Sequence, residues 1–359
     1  MSSTQNTKIP TYRLLGNSGL RVFPLCLGAM HFGYNETFSN AFGIGSSDEE
    51  SEKIFLKYIQ LGGNFIDTAN IYSLGSSEIL IGELIKKHNI DRDTLVIATK
   101  YSGPTPGVTG PNAAGNNKKN LFKAVDDSLK RLQTHYIDLL YVHFWDFTLD
   151  VTQLVRWLDE LVKSGKVLHV AISDTPAWIV SRANTYAEQN ALTPFTAYQG
   201  RYSLVDRGQD QDVIPMSKAL NIATVPWGIV GQGKLTGVRT RESDQDAKRK
   251  FVEISEQDAK VQQVVFDIAK EIGRSPTQVA INWVLGRTTS PILGTRTLEQ
   301  FEDAVKSLEF ELSQEQLERL NKASENSPAV IFPHSFIGNS FDTNRWLFLG
   351  GDKTYNITN

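Results

Sequence analysis

The chain has 359 residues, 40% hydrophobic and 21% charged, and a formal net charge of −3. That is ordinary globular composition, and its slightly acidic balance gives no electrostatic reason to expect nucleic acid or an anionic membrane as partner. The single cysteine, Cys26, cannot close an intrachain disulfide. The polar start "MSSTQNTKIPTYRLL" lacks a signal-peptide core, and no run reaches the ~18 apolar residues of a membrane span. A reducing, cytoplasmic setting is expected.

Residues 12–23, "YRLLGNSGLRVF", read as a hairpin turning at "GNSG". "PLCLGAM" (24–30) is a short apolar strand, and "DEESEKIFLKYIQLGG" (48–63) a helix that starts acidic and ends in glycines. "GNFIDT" is the second strand, followed by the helix "SSEILIGELIKKH" with Ser77 as N-cap. "TLVIATK" is the third strand, ending at Lys100. A Gly/Pro/Asn-rich loop covers 101–117. The next helix carries Leu121, Val125, Leu129 and Leu132 on one face. "IDLLYVHF", "KVLHVAIS", "FTAYQG", "IATVPW" and "SPILGT" continue as strands, each followed by a helix. Pro176 sits at the first turn of "PAWIVSRANTYAEQ".

Eight near-continuous apolar strands alternating with helices predict a parallel sheet covered on its outer face. Eight units suggest an α/β closed (β/α)8 TIM barrel, with an N-terminal β-hairpin plugging its bottom and extra C-terminal helices. A doubly wound nucleotide fold would place G-x-G-x-x-G after the first strand, and "LGAMHFGYN" does not supply it. The expected organisation is one domain over 1–359, core about 12–325, with the tail 326–359 near the substrate mouth.

In such barrels chemistry collects where strands end. Asp67 ends the second strand in "GGNFIDTANIY", and Tyr72 follows it. Lys100 ends the third strand and His143 the fourth. Singly, each could be a turn residue, a packed phenol, a solvated cation or a core histidine. Together, a buried Lys and Asp would need each other. The set suits proton transfer to a carbonyl oxygen: an ammonium lowers a phenol's pKa, a carboxylate aims the ammonium, and a histidine orients the carbonyl. Phe32, Tyr34, Tyr101, Phe144 and Trp145 could line an apolar substrate slot. Arg296, beside a helix start after the eighth strand, suits a phosphate.

These residues, with "VIATK", "RLQTHYIDLLYVH", "LVKSGKVLHVAIS", "TAYQGRYSLVDR" and "IPMSKALNIATVPWG", resemble the aldo-keto reductases. The likeness is to the fungal aryl-alcohol dehydrogenase and norsolorinic acid reductase branch. The resemblance implies a barrel oxidoreductase with Tyr72 as acid/base, Lys100 and Asp67 tuning it, and His143 orienting the substrate. It implies NADP(H), with Ser173, Asp174 and Gln199 on the nicotinamide amide and Trp227 stacked on its ring. The turn with Gly228, Gly231, Gly233 and Lys234 would meet the pyrophosphate. Gly294, Thr295, Arg296, Gln300 and Asp303 would hold the adenosine end. Asp303 and Ala304 stand where the family carries a Glu-Asn pair.

The expected reaction is reduction of an aldehyde or ketone, aromatic by the resemblance, with a small-molecule carbonyl or alcohol as partner and the oligomeric state open. Alternatives are a Schiff-base aldolase using Lys100 or an NADPH-binding regulatory barrel with little turnover. A metal hydrolase would want clustered ligands, and the six scattered histidines contain no His-x-His pair, so no metal is expected.

Overall fold

The computed structural model describes residues 11–37, 45–104, 106–107, 110–238 and 254–327. The tail expected near the mouth lies outside the described residues from 328 onward.

The chain opens on a short antiparallel pair, β1 (Arg13–Leu14) with β2 (Arg21–Val22). Eight parallel strands follow: β3 (Cys26–Gly28), β4 (Phe65–Asp67), β5 (Val96–Tyr101), β6 (Ile137–Val142), β7 (Val167–Ser173), β8 (Phe195–Gln199), β9 (Ala223–Thr224) and β10 (Ile292–Leu293). They pair in chain order, with β10 returning beside β3. The Ile292 N–H donates to Pro226 O at 2.8 Å, which ties β10 to the segment after β9 and closes the ring.

Helices α1 (Asp48–Gln60), α2 (Ser76–Lys87), α3 (Lys118–Arg131), α4 (Val151–Lys163), α5 (Ala177–Gln189) and α6 (Val213–Ala219) each connect one strand to the next. α7 (Glu256–Ile272) and α8 (Pro276–Leu285) precede β10, and α9 (Leu298–Val305) and α10 (Gln314–Ser324) follow it. Their starts are written in the sequence. Ser47 accepts from Glu50 N before α1, and Asn117 from Asn120 N before α3. Ser255–Asp258 and Ser313–Gln316 form capping boxes at α7 and α10. Ser77 corrects one expectation. The N-cap of α2 is Gly75, while the buried Ser77 hydroxyl donates to Ala29 O at 2.7 Å, tying α2 to the end of β3.

Strand alternation sorts the side chains into two faces. Phe65, Val96, Ala98, Leu139, Tyr141, Ala171 and Ala197 fill the barrel interior with Leu15 and Val22 of the hairpin. Ile66, Ile97, Leu140 and Ile172 turn outward into two layers under the helices. Outward Thr99 donates to the fully buried Glu78 of α2 at 2.6 Å, and Arg131 of α3 donates to the same carboxylate at 2.7 Å.

The hairpin stoppers the lower end as expected. Arg13 Nη1 donates to the carbonyls of Leu285 and Thr288 at 2.8 Å each, gripping the loop before β10. Gly16 has φ +57, and a Cβ there would lie 2.4 Å from Thr196 O and 2.9 Å from Ala223 N. Neither backbone atom can yield cheaply. Gly16→Ala should therefore lower stability by about 1–3 kcal/mol, read from the denaturant midpoint, with the shape of the upper rim unchanged.

Candidate active site

The inward alternation continues to the upper rim. Phe65 is followed two residues on by Asp67, Ala98 by Lys100, Tyr141 by His143, Ala171 by Ser173 and Ala197 by Gln199, so five polar side chains crown the interior column. The loop after β4 keeps following β5: Thr68 N–H donates to Ala98 O and Asn70 N–H to Lys100 O. Tyr72 then opens a tight turn in which Ser73 and Leu74 take φ +49 and +54, left-handed values that L residues rarely adopt. That turn brings the phenol back over the rim.

Lys100 is fully buried and donates to Asp67 Oδ1 at 2.5 Å, Thr68 O at 2.8 Å and Tyr72 OH at 3.1 Å. All three ammonium protons are placed. Gln199 Nε2 donates to the other oxygen of Asp67 at 2.9 Å. The His143 ring meets Tyr72 edge-on at 5.8 Å and stacks on Phe144 at 5.1 Å. Asp67, Tyr72, Lys100 and His143 are thus brought together, from three consecutive strands and one turn.

Electrostatics refine one expectation. Burial raises the Tyr72 phenol above its ordinary value, and the pull of the Lys100 ammonium toward phenolate does not overcome it. The phenol therefore rests protonated, the form that can donate. Burial works against the Lys100 charge, but Asp67 and Tyr72 outweigh it and hold the ammonium above its usual range. Burial, aided by the Lys100 charge, pushes His143 well down, so its imidazole is neutral. Its buried Nδ1 has no hydrogen-bond partner. An orphaned lone pair costs less than an orphaned N–H, which favours the tautomer with the proton on Nε2.

Such a centre, a protonated phenol touching a locked ammonium beside a neutral imidazole at the mouth of a (β/α)8 barrel, fits carbonyl chemistry. The chain matches the Aldo/keto reductase family over residues 24–325. It belongs to that family. It is 38% identical to norsolorinic acid reductase B of Dothistroma septosporum over 95% of this chain and 88% of the relative. It is 38% identical to an aryl-alcohol dehydrogenase of Pestalotiopsis microspora, covering 91% and 85%. With an NADP(+) aryl-alcohol dehydrogenase of Phanerodontia chrysosporium the identity is 35%, covering 94% and 91%. The aldo-keto reductase chain is accordingly an oxidoreductase.

The remaining expected residues fall into three groups. Ser173, Asp174, Gln199 and Trp227 lie along the rim. Asp174 holds φ +41 and its N–H donates to Gln199 O, while Arg201 lies over the Trp227 ring at 5.8 Å. In the turn beyond, Gly228, Gly231 and Gly233 have φ +69, +60 and +96, and nothing lies within 4 Å of a Cβ built on Gly233. Lys234 pairs with buried Asp258 at 2.6 Å.

At the third location, Gly294 is open, Thr295 Oγ1 is buried with no partner, and no described carboxylate forms an ion pair with Arg296. The Arg296 N–H donates to Gln300 Oε1, and the Leu298 N–H to Glu50. An orphaned hydroxyl and a guanidinium without a described carboxylate partner, beside an exposed glycine, fit a phosphate-bearing cofactor. Asp303 differs. Its carboxylate accepts from Ser275 and Gln278, both at 2.7 Å, which binds the start of α8 to α9.

The residues expected to line an apolar slot mostly lie away from the rim. Phe32 is packed among the outward-facing residues under α1 and α2, and Tyr101 and Trp145 lie in the layer under α3 and α4. Tyr101 follows inward Lys100 by one residue, so alternation turns it away from the mouth. Tyr34 is 59% exposed, and Phe144 touches the site through its stack on His143.

Four residues escaped the sequence reading as site members. Asn70, fully buried between Asp67 and Tyr72, has neither amide atom partnered. Its signal was the spacing inside "DTANIY", where an amide enters a buried turn. Ser102, Asn116 and Asp146 form a buried polar cluster behind His143. Nothing local marked them, because they meet only across two loops.

Proposed function

We propose that the protein reduces aldehydes or ketones, aromatic ones in particular, to alcohols with NADPH, Tyr72 serving as the general acid. The observation that carries the reading is the Lys100 ammonium, 3.1 Å from the Tyr72 hydroxyl and locked by Asp67. NADPH, when bound, supplies the hydride. Nε2–H of His143 and the Tyr72 hydroxyl would both meet the carbonyl oxygen, the first orienting it and the second giving up its proton. As negative charge grows on Tyr72, the fixed ammonium stabilises it without reorganisation. A Schiff-base role for Lys100 loses support here, because a nucleophilic lysine needs a depressed pKa and this one is raised.

NADP(H) is the cofactor in this reading, supported by the named cofactor of the Phanerodontia relative and by the Thr295–Arg296 cradle. Ser173, Gln199 and Trp227 would hold the nicotinamide, and Gly228, Gly231, Gly233 and Lys234 the pyrophosphate. Arg296→Ala should weaken NADPH binding by roughly 1.5–3 kcal/mol, the worth of one charge-assisted contact, and leave NADH nearly unchanged. Fluorescence titration with both cofactors checks this, and equal losses would remove Arg296 from the 2′-phosphate. A screen of aromatic aldehydes and ketones followed by NADPH absorbance tests the reaction itself. Steady turnover separates an enzyme from an NADPH-sensing subunit. No described helix is long and apolar enough to cross a membrane.

A further inference from the structure

His143 lacks the usual device for aiming a catalytic imidazole. A working histidine is generally oriented by a hydrogen bond to its other ring nitrogen, yet Nδ1 here is buried and without a partner. The orientation must come from its backbone and its packing. The backbone N–H of His143 donates both to Tyr101 O at 2.9 Å and to Ser102 Oγ at 3.2 Å. Ser102 is itself unusual. Its φ is +118, a region almost reserved for glycine. A serine held there needs a use for its hydroxyl.

That hydroxyl is anchored from behind. Asn116 Nδ2 donates to Ser102 Oγ at 2.8 Å and to Phe144 O at 3.0 Å. Asn116 Oδ1 accepts from Asp146 N at 2.8 Å, and the Asn116 N–H returns to Asp146 Oδ2 at 2.6 Å. The amide thus grips the chain on both sides of Trp145, just beyond His143. Asn116 and Ser102 are fully buried and Asp146 nearly so, and buried hydrogen-bonded networks of this kind rigidify what they hold.

We propose that Ser102, anchored by Asn116 and Asp146, is a positioning residue for His143, aiming its ring across the loops that follow β5 and β6. This rests on the catalytic reading of His143 given above. Ser102→Gly removes the hydroxyl and suits the backbone, so the protein should fold at least as well as wild type. kcat should fall about tenfold, less than the ~10²-fold that a 1 Å misplacement can cost. The KM and dissociation constant for NADPH should not move.

The ring nitrogen signals of histidine-labelled protein, with His143 assigned from its own glutamine variant, should shift or broaden at His143 alone. Asn116→Ala should reproduce the effect, and the double variant should be no slower than the worse single one, since both act on one path. Were Ser102→Gly not to fold, Asn116→Ala decides by the same readouts. Wild-type kcat with unmoved His143 signals, a matching loss of NADPH binding, or additive effects would each overturn the proposal. A fully active His143→Gln enzyme would instead sink the catalytic reading, whereas an inactive one beside wild-type Ser102→Gly sinks only the positioning role.

Discussion

Tyr72→Phe should cut carbonyl reduction by ~10²-fold or more, since a positioned general acid contributes about 10²–10⁴. The substitution removes one hydroxyl and keeps the ring, so the edge contact with His143 survives. Lys100 keeps Asp67 and Thr68 O as acceptors and loses only its third. NADPH should therefore still bind and still quench tryptophan fluorescence, because its proposed contacts lie at Trp227 and in the 294–300 segment. Single-turnover absorbance at saturating NADPH measures the chemical step directly. Near-normal hydride transfer in folded, cofactor-bound Tyr72→Phe would remove the phenol from the mechanism. An aldolase would give the reverse pattern, with Lys100 essential and Tyr72 dispensable.

Lys100→Met should be the most damaging single change, for two separable reasons. Chemically, it strips the charge that stabilises a developing phenolate, so turnover should fall at least as far as in Tyr72→Phe. Structurally, it leaves Asp67 buried with Gln199 as its remaining side-chain donor. Removing one partner of a buried ion pair costs about 3–5 kcal/mol.

The sign with pH follows from Asp67. Burial raises its pKa even with the ammonium present, and loss of the ammonium raises it further. A carboxyl whose folded pKa lies above its unfolded value binds more protons in the native state. The stability deficit should therefore be small in acid, below the ordinary carboxylate pKa of about 3.9, and grow as pH rises through the folded value. Urea midpoints at several pH values check this, and adding Asp67→Asn to the Lys100→Met variant should recover much of the loss. A deficit independent of pH would mean that packing around the lysine stem, not the orphaned carboxylate, carries the cost.

Much of the molecule was legible one residue at a time. Caps at Ser47, Asn117, Ser255 and Ser313 act within a single turn, so each helix start is a local decision. Period-two alternation places Asp67, Lys100 and His143 on the inward face of their strands. The same alternation turns Tyr101, one residue past Lys100 and expected in the substrate slot, into the layer under α3 and α4. Ser77 misled for another reason. A serine at a helix start reads as a cap, but the fold brings the Ala29 carbonyl and the Thr68 hydroxyl to this one and they partner it instead.

The sequence by itself determined the eight strand–helix units, the closed-barrel class, the hairpin at the bottom and the four residues at the rim, because periodicity, caps and strand parity are short-range properties. The tertiary structure alone decided what those groups become. Burial, which depends on every surrounding element, keeps the Tyr72 phenol protonated against the pull of Lys100. Partners distant in sequence decide the rest: Gln199 reaches Asp67 across the barrel, Asp303 is bound to the start of α8, and Asn116 closes on Asp146 behind His143. Such contacts depend on where loops meet after the ring has closed, and no local pattern encodes that meeting.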